Sequence, residues 1–159
     1  MRRAPILQCS VIDPITGTMT EGAQMTAPSL PADAENISIA GFNKFAGPFY
    51  RLPDDGEVRR FAVVALDKHM NGSGTVHGGL LMTFADISMS RTARLVSGAQ
   101  SCSTVALNCD FVRPGRLGDV IEARVRATRQ TRTLVFLSAE LSAAGRIVMT
   151  AAGLWKIMP

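Results

Sequence analysis

A glycine-rich segment with one histidine, followed by a single acid in an apolar run, contains the side chains of this chain best suited to chemistry. The segment extends from Asn71 to Gly79 and reads NGSGTVHGG, and Asp86 follows between Ala85 and Ile87. An unpaired carboxylate is costly to bury, by several kcal/mol, unless something compensates for it. A carboxylate kept in such surroundings can act as a general base or as a nucleophile. Asp86 is therefore the first candidate for a catalytic residue.

The acid lies on what the sequence predicts to be one long helix, Gly79–Val96. Its first half has no wide polar face, which is typical of a helix covered on most sides. Arg91 and Arg94 come late, where cations suit the helix dipole, and Ser97-Gly98 ends the helix. At its start, Gly78 and Gly79 leave the backbone uncovered, so that free N–H groups can stabilise developing negative charge on a substrate.

The remaining periodicity predicts strands. The predicted strands are Phe49–Leu52, Val58–Leu66, Ser103–Val112, Val120–Arg129, Thr133–Ser142 and Ile147–Ile157. The order is two strands, the helix, and four strands that we expect to form a meander. The short links imply an antiparallel sheet wrapped around one helix, a fold of the α+β class.

Alternation within Ser103–Val112 predicts two faces of that strand. One face carries Val105, Leu107, Cys109 and Phe111. The other carries Thr104, Ala106, Asn108 and Asp110.

Residues 1–33 are rich in Pro, Thr, Ser and Gly, and we expect an extended or disordered arm. A helix over Ala34–Phe45 is predicted to follow, with Asp33 as its cap and Gly47-Pro48 as its end. The catalytic domain would then span residues 34–159.

Composition narrows the classes of partner and cofactor. The 159 residues are 47% hydrophobic and 19% charged, with a net charge of +4 and three cysteines. The basic residues are dispersed and no cysteine pair has CxxC spacing, which argues against a nucleic-acid arm, a disulfide framework and a zinc knuckle. No apolar stretch is long enough to span a membrane. We expect a cytoplasmic protein without a metal or other cofactor, binding neither nucleic acid nor membranes.

Two motifs resemble those of the PaaI-like acyl-CoA thioesterases, named after the phenylacetate pathway. They are Asn71-x5-His77-Gly78-Gly79-x6-Asp86 and Phe111-x-Arg113-Pro114-Gly115-x2-Gly118-Asp119, within a likeness that covers about residues 45–157. The resemblance implies the hotdog fold and hydrolysis of an acyl-CoA thioester to a free acid and coenzyme A. It also implies a dimer with shared active sites, commonly paired into a tetramer.

The resemblance also implies roles by position. Asp86 would be the nucleophile or the general base, and the Gly78 N–H would polarise the thioester carbonyl. Asn71 and His77 would lie beside that carbonyl, and Thr104 would order the acid or a water molecule.

Gly79 would contribute to the substrate site, and Arg113 or Arg116 would either hold the phosphates of coenzyme A or lie on a solvated strand face. The acyl group is left open, although Phe49, Phe84 and Met82 suggest an apolar pocket.

Helix geometry independently favours a shared site. Gly78 and Asp86 are eight residues apart. At about 1.5 Å per residue they would lie ~12 Å apart along the axis. One carbonyl must lie about 3 Å from both groups, which an antiparallel helix pair across a two-fold axis allows.

Structural interpretations of the same residues remain open. Asp86 could pair with an arginine, His77 could order the turn, and Gly78-Gly79 could allow close packing. His69 is expected in a surface loop. Cys102 and Cys109 are expected in or near the core, and Trp155 is expected in the core.

Two other function classes also remain. One is a non-catalytic module that binds acyl-CoA. The other is a hotdog hydratase acting on an enoyl thioester, although its Asp-x4-His pattern is absent here.

Overall fold

A computed structural model describes residues 11–12, 19–20 and 30–158 of the chain. The predicted arm over residues 1–33 therefore lies largely outside the described residues. The strands are β1 (Val11–Ile12), β2 (Met19–Thr20), β3 (Glu35–Asn36), β4 (Phe49–Asp55), β5 (Val58–Val64), β6 (Ser101–Phe111), β7 (Val120–Gln130), β8 (Leu134–Ala143) and β9 (Arg146–Met158). The helices are α1 (Gly41–Ala46) and α2 (Gly78–Ser97), with a 3₁₀ turn at Asp67–His69.

Seven strands form one antiparallel sheet that curls around α2. Their order is β3-β4-β5-β7-β8-β9-β6, and each neighbouring pair is antiparallel. The buried apolar side chains of α2 pack on the inner face of this sheet. The α+β hotdog architecture expected from the sequence is confirmed.

The predicted four-strand meander is wrong in one respect. Of the four strands after α2, only β7, β8 and β9 follow one another in the sheet, whereas β6 pairs with β9 and β7 pairs with β5. The segment between β6 and β7 leads from the edge of the sheet to the strand beside β5, because hydrogen bonds hold the end of this segment next to the end of β5. The Ala65 N–H donates to the Asp119 carbonyl and the Gly118 N–H donates to the Ala65 carbonyl, each at 2.8 Å. Strand β6 therefore forms an edge of the sheet.

The helix predicted at Ala34–Phe45 is also wrong over its first half. Glu35 and Asn36 are extended and pair with Arg51 and Tyr50 of β4. The Asn36 side chain accepts from the Ser38 N–H at 2.9 Å, a local bond that competes with a helix. Helix α1 is confined to Gly41–Ala46 and ends, as predicted, before Gly47-Pro48.

Helix α2 matches the predicted helix closely. It begins after His77 and ends at Gly98, which has a φ of 71° in the left-handed region that favours glycine. Trp155 lies in the core, as expected, and is fully buried. Phe49 and Phe84 are fully buried too, and their rings stack at 5.6 Å. They form core rather than the wall of an open pocket.

A bulge in β6 overturns the predicted alternation of that strand. Thr104 pairs with Trp155 and Ala106 pairs with Leu154, so Val105 is an extra residue without a partner on β9. A bulge shifts the side-chain alternation by one residue. Thr104 therefore faces α2 together with Leu107, Cys109 and Phe111, and not outward with Asn108 as predicted.

Candidate active site

Asp86 lies on α2 at the side covered by β6. Its carboxylate is half-buried and accepts a hydrogen bond from the Thr104 hydroxyl at 2.6 Å. Among the residues that the structure describes, no arginine, lysine or histidine forms an ion pair with it. Asp86 is thus held in place by one hydroxyl, without the cation that a structural buried acid usually has.

Thr104 is brought to Asp86 by the bulge. The two residues are 18 positions apart in sequence, and the contact joins the edge strand to the helix. The hydroxyl donates, so the second carboxylate oxygen of Asp86 and the remaining lone pairs of the first can accept a proton or attack a carbon. The resemblance implies that Thr104 orders either the acid or a water molecule, whereas the face predicted for Thr104 is wrong.

The start of α2 exposes a backbone donor. His77 caps the helix, and its Nδ1 accepts from the Gly79 N–H at 2.8 Å. The Gly78 N–H has no hydrogen-bond partner within the described part of the chain. It lies at the positive end of a 20-residue helix, which suits an oxyanion.

The two glycines that open α2 lie close to neighbouring side chains. A Cβ on Gly78 would lie 3.1 Å from the Phe111 ring, and one on Gly79 would lie 2.9 Å from His77 Nδ1. Because Nδ1 of His77 accepts a bond, the proton of the neutral ring is on Nε2. The exposed His77 side chain can therefore donate from Nε2 to a substrate oxygen, whereas the Gly79 N–H is already occupied.

Asn71 orders the loop before the helix. Its Oδ1 accepts from the Ser73 and Thr75 N–H groups at 2.9 and 3.1 Å, and its Nδ2 donates to the Thr75 hydroxyl at 2.9 Å. The loop is then tied to the 3₁₀ turn, since the His77 N–H donates to the His69 carbonyl at 2.8 Å. One N–H of the Asn71 amide is left for another acceptor.

A groove of about 370 Å³ borders Gly78. Its walls are mostly apolar, with Arg113 at its side. The residues that line it are Thr75, Val76, Gly78, Leu81, Phe111, Val112, Arg113, Pro114 and Gly115. Phe111 and Val112 are 55% and 47% exposed, so this apolar surface is open. The sequence did not single out these two residues as site residues.

The two arginines of the turn after β6 are exposed. Arg113 donates to the Ile147 carbonyl at 3.3 Å, and Arg116 binds Asp119 through its backbone N–H at 2.8 Å. Arg113 borders the groove and Arg116 does not. A second depression, of about 420 Å³, lies on the outer face of the sheet and includes none of the predicted site residues.

His69 is buried, and the prediction of a surface loop is wrong. Only 4% of the residue is exposed, and both ring nitrogens bind backbone groups. Nδ1 accepts from the Leu66 N–H at 3.0 Å, which places the proton on Nε2, and Nε2 donates to the Ala46 carbonyl at 2.8 Å. Burial lowers the pKa of His69, and the nearby Lys68 ammonium lowers it further. The sequence did not predict this burial, because a contact between the 3₁₀ turn and the end of α1 has no periodic pattern.

The two cysteines of β6 are half-buried beside α2, and burial raises the pKa of both thiols. Within the described ranges, no group of three or more His, Cys, Asp or Glu side chains could hold a metal ion. No helix within these ranges is long and apolar enough to cross a membrane.

Comparison with known proteins identifies the family. The family model described as the thioesterase superfamily matches residues 73–150, which include the loop, α2 and most of the following sheet. A protein of Pseudomonas aeruginosa named "Putative esterase PA0474" is 36% identical over 115 residues, 70% of this chain and 84% of that protein. Human acyl-coenzyme A thioesterase 13 is 35% identical over 86 residues, 52% of this chain and 60% of that protein.

Solved structures share the fold at lower identity. The E. coli PaaI protein from the phenylacetic acid degradation operon superposes with a TM-score of 0.68 and 20% identity, over 75% of this chain and 86% of that chain. The protein smu.793 from Streptococcus mutans, solved with bound acetyl CoA, gives a TM-score of 0.63 and 19% identity, over 69% and 88% of the two chains. The chain therefore belongs to the thioesterase superfamily and shares the hotdog fold of these structures.

Proposed function

We propose that this protein hydrolyses acyl-CoA thioesters and that Asp86 is its catalytic carboxylate. The observation that supports this most directly is the half-buried Asp86 carboxylate, which is hydrogen-bonded by Thr104 and has no cation beside it among the described residues. The relatives named above as an esterase and an acyl-CoA thioesterase, and the neighbour with bound acetyl CoA, favour the same substrate class.

Two mechanisms of hydrolysis use Asp86 and the Gly78 N–H. Asp86 attacks the carbonyl carbon to form a mixed anhydride, which water then hydrolyses, or it removes a proton from a water molecule that attacks directly. Either attack places negative charge on the carbonyl oxygen, and the Gly78 N–H at the helix terminus stabilises that oxyanion. Coenzyme A leaves as the thiolate and takes up a proton. His77 Nε2 and the free N–H of Asn71 are further donors to the carbonyl oxygen.

In this proposal the acyl group of the substrate binds in the groove, and the coenzyme A phosphates bind at its rim. The apolar groove beside Gly78 suits the hydrocarbon part of an acyl group. Arg113 borders it and, with the exposed Arg116, is the candidate for the coenzyme A phosphates.

Each active site is shared between two subunits in this proposal. Gly78 and Asp86 of one chain are ~12 Å apart along α2, so one carbonyl reaches both only if a second copy supplies one of them. The edge strand β6 supports pairing of two copies, because within the described sheet its 11 residues have a neighbour on one side only and Val105 is 57% exposed. Pairing of two such dimers into a tetramer remains an expectation from the family resemblance.

The first test is thiol release from a panel of aryl and aliphatic acyl-CoAs, with and without a chelator. We expect metal-independent release. Tight binding of acyl-CoA without release would replace this proposal by a non-catalytic binding module.

The second test is complementation between two inactive variants, Asn71→Ala and Asp86→Asn. In a mixed dimer with shared sites, one site receives both changes and the other receives neither, so activity returns. Verified mixed dimers that remain inactive would show that each site lies within one chain.

A further inference from the structure

The contact between Thr104 and Asp86 depends on the bulge in β6. Three residues of β6, from Thr104 to Ala106, stand opposite only Trp155 and Leu154 of β9. With regular alternation, either Thr104 or the apolar run from Leu107 onward would point away from α2. The bulge allows both to face the helix, so the position of the Thr104 hydroxyl depends on the presence of the extra residue.

Gly153 makes room for this bulge. A Cβ on Gly153 would lie 2.5 Å from the Ala106 carbonyl oxygen, which belongs to the bulged backbone. It would also lie 2.7 Å from two ring atoms of Trp155. Contacts this short do not occur for real side chains, and a backbone oxygen cannot swing aside as a flexible side chain can. Residue 153 must therefore be glycine for the bulge and the indole ring to keep their places.

Trp155 connects the bulge to the turn of α2 that carries Asp86. It is the strand partner of Thr104, and its fully buried indole donates from Nε1 to the Ser90 hydroxyl at 2.8 Å. Ser90 lies four residues, one helical turn, after Asp86. The Cys102 thiol also donates to the Ser90 carbonyl, at 3.3 Å. Strand pairing thus links Thr104 to Trp155, and a hydrogen bond links Trp155 to Ser90. One turn of α2 separates Ser90 from Asp86, whose carboxylate binds the Thr104 hydroxyl.

We propose that Gly153, Trp155 and Ser90 are positioning residues for thioester hydrolysis, which hold the bulge of β6 so that the Thr104 hydroxyl meets the Asp86 carboxylate. This inference rests on the proposed function, because it matters for catalysis only if Asp86 is the catalytic acid. None of the three residues touches the substrate in this proposal. They act on the rate by fixing the distance and direction of one hydrogen bond.

The decisive variant is Gly153→Ala, measured in the wild-type background and in the Thr104→Val background. A displacement of about 1 Å at a catalytic group can lower the rate by about 10²-fold. We expect kcat and kcat/KM to fall together by roughly that factor in the wild-type background, since the lost interaction acts on the reacting state. In the Thr104→Val background, where no hydroxyl remains to be placed, we expect little further change.

The only tryptophan of the chain supplies a second readout. Trp155 emission should shift in Gly153→Ala and in Ser90→Ala, because each changes the surroundings of the indole. Leu141→Ala is the control for stability alone: it is fully buried on β8, outside these contacts, and should lower the melting temperature while leaving kcat and Trp155 emission unchanged.

If Gly153→Ala does not fold, Trp155→Phe and Ser90→Ala test the same idea, since each removes one end of a single hydrogen bond. The two should lower kcat alike, and the double variant should be no worse than either one. Equal losses of kcat in the wild-type and Thr104→Val backgrounds would overturn the inference, as would full activity in Gly153→Ala. An inactive wild type, or a fully active Asp86→Asn, would instead refute the proposed function and with it the need for positioning.

Discussion

His69 and Asp86 are two ionisable side chains drawn into the fold, and they differ in how their hydrogen bonds are satisfied. His69 is 4% exposed, and each of its ring nitrogens binds a backbone group. Asp86 is half-buried and, among the residues that the structure describes, accepts one bond, from Thr104. A polar group with all its partners inside the protein stabilises structure, whereas one with spare acceptors beside an open sheet edge can engage a substrate.

The surroundings of the two residues differ in the same way. His69 joins the 3₁₀ turn to the end of α1, and the neighbouring Lys68 ammonium donates to the Phe45 carbonyl at 2.7 Å. Asp86 faces β6, the edge strand, most of which is exposed. The region around His69 is complete within one chain, whereas the region around Asp86 lies beside an exposed sheet edge, where we propose that a second copy and the substrate bind.

The sharpest test of this contrast is Asp86→Asn. The change keeps the shape of the side chain and removes both the base and the nucleophile. We expect thioesterase activity to fall by at least about 10²–10⁴-fold, with folding and oligomer size unchanged. The unfolding free energy should be equal to or higher than that of the wild type, because a half-buried charge has been removed. Near-full activity would show that Asp86 is structural.

Variants of Thr104 measure how much its hydrogen bond to Asp86 contributes to the rate. Thr104→Ser keeps the hydroxyl and should retain most of the activity. Thr104→Ala removes a hydrogen bond to a charged group, worth about 1.5–3 kcal/mol, and should lower kcat by roughly 10–100-fold. Steady-state kinetics of the three forms decide the matter, and equal activities would mean that Thr104 only packs.

His69→Ala should affect stability and spare the chemistry. The change leaves the Leu66 N–H and the Ala46 carbonyl without their partner, which should lower the unfolding free energy by about 1–3 kcal/mol. Activity per folded molecule should stay near that of the wild type at low temperature. A large loss of kcat with unchanged stability would break the contrast drawn between the two residues.

The smallest expected effect is a pH dependence of stability. Burial lowers the pKa of His69 in the folded state, so the unfolded chain binds the proton more tightly than the folded one. The stabilising contribution of neutral His69 is therefore present above the unfolded pKa of about 6.5 and decreases as the pH falls through and below that value.

Urea unfolding from pH 7.5 to 5 measures this dependence. His69→Asn should flatten it, because Asn does not titrate in this range. His77 is the only other histidine of the chain, so His77→Asn is the matched comparison, and the slope should flatten more in His69→Asn than in His77→Asn. An unchanged slope in His69→Asn would assign the dependence to other groups.

Some errors of sequence interpretation share one cause. The alternation of β6, the meander and the place of His69 all depend on contacts between residues far apart in the chain. The bulge at Val105 is set against β9, and the order of β6 and β7 is set by bonds between Ala65 and the turn before β7. No local pattern contains such information, because periodicity records which face of an element is apolar and not which element covers it.

The amino-acid sequence by itself determined the long helix, the six long strands and the candidate chemistry of this protein. The apolar run with one acid specifies a covered helix with Asp86, and HGG at its start specifies a helix terminus with open backbone, because spacing along one helix is a local property. Only the tertiary structure decided the bulge that brings Thr104 to Asp86, the position of Phe111 over Gly78, and the contact of His69 with the end of α1. These contacts form only when the sheet closes around α2 with β6 at its edge. Pairing between strands far apart in sequence depends on the whole core and not on any one segment.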